Sequence, residues 1–223
     1  MKLLMKEWKL CMHPTGYIML LCAALVLVPG YPYTVSCFYM GLAIYFICLT
    51  ARENHDASYT LTLPVSRGDA VKARILFCTV LEILDLLLIG LMILLKNAIG
   101  NMPNPAGLDA GLALIGEGMI AFALFNMIYF PLYYRDINKP GKAFAFAAGA
   151  MFLWIIMEIA ATYTVPFFQA LDTPDPQNLS DKGLFTLAGL ALFAGGTAKS
   201  MQMSTKRFEE EDLSLKRRMK NEK

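Results

Sequence analysis

Long apolar segments alternate with short polar segments along the chain. A helix needs about 20 apolar residues to cross roughly 30 Å of hydrocarbon. Six apolar runs can be distinguished, at about residues 15–28, 32–50, 71–95, 108–129, 143–164 and 183–198. The third, fourth and fifth runs reach the required length, whereas Pro29-Gly30 stops the first and the sixth is short and rich in glycine. The pattern predicts six membrane-spanning helices, although the first pair also fits a tight hairpin that does not fully cross.

The composition of the chain also fits a membrane protein. Hydrophobic residues make up 57% of the sequence and charged residues 17%, whereas soluble domains carry about 25% charged residues. Mean hydropathy is +0.48. The predicted fold is an all-α polytopic membrane protein, with a six-span domain over residues 1–200 and a charged tail over residues 201–223. No small-residue cleavage site follows the Lys-rich start, so we expect the first span to be retained.

Lysine and arginine residues predict the orientation of the spans. Eighteen of the 20 lie in residues 1–13, 51–74, 135–142 and 199–223. Six spans place these four segments on one side of the membrane, which the positive-inside rule makes cytoplasmic. Only Lys96 and Lys182 fall on the opposite side. We therefore expect a multi-pass protein of the cell membrane with both termini in the cytoplasm.

Two segments outside the spans have alternative interpretations. Residues 1–13 place apolar side chains and Trp8 opposite three lysines. This pattern fits a helix lying in the membrane interface or the first turns of a longer, tilted first span. Residues 165–182 begin with apolar residues and end in polar turns. They form either a short helix that dips into the outer leaflet or an ordinary external loop, and we favour the loop.

Common enzyme motifs are missing from the sequence. It contains no phosphate-binding GxxxxGK[ST] loop, no HExxH or GxSxG motif and no paired metal ligands. His13 and His55 are the only histidines, and the five cysteines include no CxxC pair. We therefore predict a protein that is not an enzyme, with no catalytic residues and no metal or cofactor of its own.

Four acidic residues lie within the apolar runs, namely Glu82, Asp85, Glu117 and Glu158. A charged side chain at the centre of a membrane helix costs about 2.5–3.5 kcal/mol even on the insertion scale. Each acid should therefore face the bundle interior, a partner or water. No Lys or Arg lies at a matching depth in the runs to neutralise them. They form either a polar route for a transported substrate or a set of protonated carboxyls hydrogen-bonded between helices.

The polar segment between the second and third spans is the most informative part of the chain. Polar and apolar side chains alternate over residues 53–63, among them Glu53, His55, Asp56, Tyr59 and Thr60. A short helix with such a mixed surface cannot offset its ordering entropy alone, so it should pack against a partner or against its own bundle. Pro64 ends this helix, and Ser66 can cap a new one that starts near Arg67.

The end of this segment resembles the corresponding segment of a known protein family. An acidic patch followed by LTLPVSRGDAVKAR is similar to the segment after the second span in permeases of bacterial type-2 ABC exporters. The matching residues are Leu63, Pro64, Val65, Ser66, Arg67, Val71 and Lys72. Six spans, an N-terminal arm with Lys, Glu and Trp, and a length of 223 residues without an attached ATPase also resemble that family. Within it, the chain is most similar to permeases that export amphipathic peptides such as phenol-soluble modulins.

The resemblance implies partners and contact residues. Such a permease pairs with a second permease chain, identical or paralogous, and binds two ABC ATPase subunits, which hold ATP and magnesium. The coupling helix of the family corresponds to about residues 52–63, within a coupling segment 51–69. The implied ATPase contacts are Glu53, His55, Asp56, Tyr59 and Thr60. Residues 1–13 correspond to the interfacial connecting helix, the implied substrate is an exported amphipathic peptide, and no nucleic acid is involved.

Two other functions are compatible with the residues. A membrane scaffold or immunity protein would bind a peptide or partner without pumping it. A proton-coupled carrier would use Glu82, Asp85 and Glu117, and its transport would persist without ATP but stop when the proton gradient collapses.

Overall fold

The computed structural model of the chain describes residues 2–62, 64–100, 104–173 and 175–221. The structure is 82% helical, and these ranges contain no strand, which confirms the predicted all-α fold. The elements are α1 (Lys2–Cys11), α2 (Pro14–Leu20), the 3₁₀ segment η1 (Leu21–Leu27), α3 (Val35–Glu53), α4 (Asp56–Thr62), α5 (Arg67–Ile99), α6 (Leu112–Tyr133), α7 (Pro140–Thr164), α8 (Pro166–Leu171) and α9 (Leu179–Asn221).

Five of the described helices are long and apolar enough to cross a membrane. They are α3, α5, α6, α7 and the part of α9 from Leu179 to Glu210. The sixth candidate is a bent pair, in which Leu3–Cys11 and Pro14–Leu27 meet at 90°. The predicted count of six is therefore reached when this pair is taken as one broken span.

The first apolar run combines two types of helix. His13 caps α2 by accepting a hydrogen bond from the Thr15 N–H, and Pro14 takes the first helical position. η1 then rises about 2.0 Å per residue, against about 1.5 Å in an α-helix. The seven residues of each segment together reach about 25 Å, which brings a short run near the thickness of a bilayer. The right-angle turn before Pro14 separates α1 from this run. An interfacial α1 therefore requires α2 and η1 to form the first span by themselves, and the depth of α1 stays a prediction.

α6 packs closely along α9. Their backbones approach so closely that a Cβ atom built on Gly189 would lie 2.6 Å from the Gly116 carbonyl oxygen. This contact explains a glycine in the sixth run. Phe122, Phe125 and Tyr129 of α6 are fully buried, and the last two rings stack with centroids 4.9 Å apart. α9 continues without a break to Asn221, so the charged tail extends directly from the last span.

The four basic segments meet at one end of the bundle, which we call the basic end. Lys6 of α1 contacts Asp56 of α4. The Arg52 side chain donates to the Asn138 carbonyl oxygen in the α6–α7 turn at 3.2 Å, and Arg207 of α9 donates to a backbone carbonyl at the end of α6. The segments therefore share one face, as predicted. That this face is cytoplasmic stays a prediction.

The segment 165–182, at the opposite end, contains the helix α8 and not only the loop that we favoured. Asp172, at the end of α8, accepts a hydrogen bond from the Asp109 N–H at 2.7 Å. Lys182 is fully buried and lies 2.7 Å from an Asp175 carboxylate oxygen. Burial raises the pKa of Asp172 to about 6, and the Asp109 charge adds to this rise while the Asp109 N–H opposes it. Entry of α8 into the outer leaflet stays a prediction.

Candidate functional site

α4 follows α3 after a tight turn at the basic end. The Asn54 N–H bonds to the Thr50 carbonyl oxygen at 2.9 Å as α3 ends. His55 then takes a φ of 50°, in the left-handed region that few residues other than glycine adopt. This turn allows α4 to start at Asp56. Beyond α4, Ser66 caps α5 by accepting from the Asp69 N–H at 3.0 Å, as the sequence predicted.

Four charged residues form a buried group on the inner side of α4, and we call this group the ion cluster. Arg74 of α5 donates through Nη2 to Asp56 at 2.5 Å and through Nε to Glu7 of α1. The Lys6 Nζ lies 2.8 Å from Asp56 Oδ1 and 3.1 Å from Glu7 Oε1. Lys6 also donates to the Thr60 hydroxyl at 2.5 Å. Two acids and two bases thus join α1, α4 and α5 with balanced charge.

The ion cluster is shielded from water. Glu7 is 2% exposed, and Asp56 and Arg74 are each 6% exposed. Removing one partner of a buried pair leaves an uncompensated charge and costs about 3–5 kcal/mol. α4 has only seven residues, which is too short for an isolated helix to be stable. The ion cluster therefore stabilises α4, which is too short to be stable by itself.

The ion cluster also contains three potential metal ligands, since side-chain atoms of Glu7, Cys11 and Asp56 lie within 4.8 Å of one another. Arg74 and Lys6 already engage both carboxylates, and Arg74 donates to the Cys11 sulfur at 3.3 Å. Burial raises the pKa of Cys11 to about 12, although the Arg74 charge opposes the rise. The thiol therefore stays protonated at neutral pH and is a poor metal ligand. The arrangement fits ion pairing better than metal binding.

The five residues predicted to contact an ATPase divide into two groups. Glu53, His55 and Tyr59 are exposed, and the large Tyr59 ring is 54% exposed. Asp56 and Thr60 are 6% and 4% exposed and bond inward to the ion cluster. α4 and its preceding turn thus have an outer surface and an anchored inner surface.

A cavity of about 110 Å³ lies beside the ion cluster. Its walls come from α4, α5, the α6–α7 turn and α9, and include His55, Asp56, Arg74, Tyr134, Asn138 and Phe208. The Arg67 guanidinium lies 5.7 Å from the centroid of the Phe208 ring, which connects the start of α5 to α9. The cavity is thus enclosed by α4 and by residues of four long helices, α3, α5, α6 and α9.

The four intramembrane acids are buried inside the bundle, with Glu158 3% exposed and the other three fully buried. The Asn126 amide of α6 donates to Glu82 at 2.8 Å and to Thr197 of α9 at 3.2 Å. Glu158 accepts from the Thr34 hydroxyl at 3.0 Å and from the Leu108 N–H at 3.2 Å. Glu82 of α5 is thus hydrogen-bonded to a neighbouring helix, whereas Glu158 of α7 bonds to the residue before α3 and to the loop before α6.

Asp85 and Glu117 differ from the other two acids in their hydrogen bonding. Neither carboxyl group has a hydrogen-bond partner within the described part of the chain. The Trp154 indole lies beside Glu117 but does not reach hydrogen-bond geometry. An unpaired buried polar group costs about 1–3 kcal/mol, and acids inside membrane helices commonly mark substrate or ion pathways. A polar route for a substrate past these two residues stays a prediction.

Sequence reasoning missed the roles of Lys6, Glu7 and Arg74. The two bases entered the argument only through the charge bias, and Glu7 was not singled out. A signal was present, because Glu7 is the only acid in the first 13 residues and Arg74 lies inside the third apolar run. A charge in such a run requires a partner, but the sequence does not say which residue provides it.

The chain was compared with known protein families, curated proteins and solved structures. A family model described as "ABC-2 family transporter protein" matches residues 2–209. The matched range includes α1, α4 and the whole ion cluster, and it reaches far into α9. No match was found among curated proteins or among solved structures.

Proposed function

Because the chain belongs to the ABC-2 family of transporters, whose members are membrane permease subunits that work with ABC ATPase subunits and are not catalytic themselves, we propose that α4 is its coupling helix. The observation that carries this proposal is the division of α4 and its preceding turn between an exposed surface and the ion cluster. The outer residues Glu53, His55 and Tyr59 contact the ATPase. The inner residues Asp56 and Thr60 pass its movement to the bundle.

The movement of α4 reaches the intramembrane acids through α5. Arg74 receives the displacement of Asp56 through their buried hydrogen bond. Glu82 and Asp85 follow on the same 33-residue helix, about 12 Å and 17 Å further along its axis. A tilt of α5 driven from α4 therefore moves both acids. In this way ATP and magnesium, held on two ATPase subunits, change the polar interior of a permease that holds neither.

The proposed substrate is an amphipathic peptide that is exported across or out of the membrane, as the resemblance implies. Asp85 and Glu117 offer unpaired polar groups for its polar side. An apolar groove of about 700 Å³ between α5, α6 and α9 offers surface for its apolar side, with Leu87, Leu91, Met119 and Phe193 in its walls. A second permease chain completes the route, and the basic end with both termini faces the cytoplasm.

The proposal is tested by ATP hydrolysis in proteoliposomes that contain the permease and an ABC ATPase. The double variant Glu53→Arg/Tyr59→Ala should lower the permease-stimulated rate roughly tenfold, because truncated interface aromatics cost about 1–2 kcal/mol or more. Asp181→Arg, an exposed acid at the opposite end, is the matched control. Asp56→Arg is unsuitable because it would break the ion cluster. Normal stimulation in the double variant would refute the assigned contact.

One observation favours a second candidate, a proton-coupled carrier, because Asp85 and Glu117 lack partners within the described chain. The same proteoliposomes distinguish the two functions. Transport that requires ATP supports the ABC permease. Transport that continues without ATP and stops when the proton gradient collapses supports the carrier.

A further inference from the structure

A second cavity lies at the basic end, on the other side of the α6–α7 turn. Its volume is about 610 Å³, and it is lined by Leu132, Arg135, Asp136, Lys139, Lys142, Ala143 and Phe146. It shares no lining residue with the cavity beside the ion cluster. The two cavities therefore flank the same turn without being one site.

The charge of this second cavity is strongly positive. Lys139 pairs with Asp136 at 3.4 Å on the exposed surface. Arg135 and Lys142 are exposed, and neither forms an ion pair with another residue in the described ranges. Two uncompensated cations thus face one opening, which favours a ligand with negative charge.

Apolar residues lie beneath the cations on both helices. Phe146 follows Lys142 by four positions on α7, so the two side chains lie on one face about one turn apart. Phe146 is 58% exposed. On the other wall, Leu132 of α6 precedes Arg135 by three positions. In each case the cation is closer to the end of the span and the apolar side chain lies further into it.

We propose that this cavity binds an anionic phospholipid of the surrounding membrane. The lipid phosphate contacts Arg135 and Lys142, and the acyl chains lie against Leu132 and Phe146. Basic cavities at the ends of membrane helices commonly bind anionic headgroups. A free phosphate ion would use the cations but would gain nothing from the apolar wall, so the layered chemistry favours a lipid.

The bound lipid would act on the α6–α7 turn. Asn138 in this turn accepts the hydrogen bond from Arg52 at the end of α3, and its own N–H donates to Asp136 at 3.2 Å. Asp136 lines the lipid cavity and Asn138 lines the cavity beside the ion cluster. An occupied lipid cavity would therefore restrict the α6–α7 turn and its contact with the end of α3. This binding does not depend on the proposed coupling role of α4.

The test measures lipid that remains bound after extraction from bilayers. Full-length protein is reconstituted in equal parts of phosphatidylglycerol and phosphatidylcholine, extracted in mild detergent and examined by native mass spectrometry. We expect the wild type to retain phosphatidylglycerol preferentially and Arg135→Gln/Lys142→Gln to lose this preference roughly 30-fold, since each cation near the membrane surface contributes roughly a factor of five. Lys199→Gln/Lys206→Gln, which removes two exposed lysines of α9, should behave as the wild type.

Two further measurements test the role of the apolar wall and distinguish a lipid from a free phosphate ion. Phe146→Ser leaves the cations in place and should weaken phosphatidylglycerol retention. Phe146→Ser and Arg135→Gln/Lys142→Gln should both keep a monodisperse gel-filtration peak, which shows that they are folded. Inorganic phosphate in excess should not displace the lipid. Equal retention in Arg135→Gln/Lys142→Gln, displacement by inorganic phosphate, or loss of retention in the α9 control would each overturn the proposal.

Discussion

Arg74 donates a hydrogen bond to Asp56 at 2.5 Å, although 18 positions separate them in the chain and each is only 6% exposed. One residue belongs to a membrane-spanning helix and the other to the short helix α4. The same guanidinium also binds Glu7 of α1. As a consequence, α4 cannot move independently of α1 and α5.

Replacing Arg74 by methionine should destabilise the protein strongly. Asp56 and Glu7 would then share Lys6 alone, and one buried negative charge would be left without compensation, at a cost of about 3–5 kcal/mol. The free energy of unfolding in mixed micelles measures this loss. Lys206→Met is the control, because Lys206 pairs with Glu210 at 3.9 Å on the surface and such pairs contribute about 0–1 kcal/mol. Equal effects of the two substitutions would mean that the ion cluster does not hold α4.

The contact between α6 and α9 predicts opposite effects for two glycines of α9. An added Cβ at Gly189 would lie 2.6 Å from the Gly116 carbonyl oxygen, whereas nothing lies within 4 Å of one at Gly195. Gly189→Ala should therefore lower the free energy of unfolding by about 1–3 kcal/mol through overpacking. Gly195→Ala should raise it by about 0.5–1 kcal/mol, because alanine loses less backbone entropy in a helix. Thermal unfolding of both variants checks the helix pairing, and a neutral Gly189→Ala would contradict it.

The helices were predictable from sequence wherever one local rule decides the structure. Length and hydropathy were sufficient for the third, fourth and fifth spans, and Ser66 caps α5 because its hydroxyl accepts from a backbone N–H three positions later. The first run was harder, since the 3₁₀ geometry of η1 has no signature in an apolar sequence. A short helix was one of two interpretations of residues 165–182, and the loop was favoured because the six residues of α8 are too few for a periodic pattern.

The candidate site was only half predictable. Tyr59 is a large aromatic residue in a polar segment, and it is exposed on the outer surface of α4. Asp56 belongs to the same segment but is buried, because its partners Lys6 and Arg74 lie 50 and 18 positions away. Long-range ion pairs of this kind depend on how the helices pack. A single sequence therefore indicates that Arg74 needs a partner without identifying it.

Truncation of two intramembrane acids, Asp85 and Glu158, should have different effects on the free energy of unfolding. Asp85→Ala removes a carboxyl group that lacks a partner, so the free energy of unfolding should stay constant or rise by about 1–3 kcal/mol. Glu158→Ala removes the acceptor of two hydrogen bonds and should lower it by about 1–3 kcal/mol or more. Unfolding in mixed micelles gives both values, and transport assays on the same samples should show a loss for Asp85→Ala. A destabilised Asp85→Ala protein with normal transport would assign Asp85 a structural role.

Asp172 should make the segment 165–182 sensitive to pH. Its folded pKa of about 6 lies above the ordinary value of 3.8, so the folded state binds the proton more tightly than the unfolded state. The resulting stabilisation is complete below the ordinary value and is lost as pH rises through about 6. Limited proteolysis of the segment should therefore be slower near the ordinary pKa than at neutral pH. Asp172→Asn should remove this difference, and an unchanged pH profile in that variant would exclude Asp172 as its source.

Crosslinking of α4 to the ATPase tests the central claim most directly. A cysteine is placed at Tyr59 in a Cys22→Ser background, where the other native cysteines are buried, and the permease is assembled with an ABC ATPase. We expect a thiol crosslinker to join Tyr59→Cys to the ATPase, whereas Phe167→Cys, which lies on α8 and is also exposed, should give no product. Crosslinking at Phe167→Cys with none at Tyr59→Cys, in a complex that hydrolyses ATP normally, would contradict the assignment of α4 as the coupling helix.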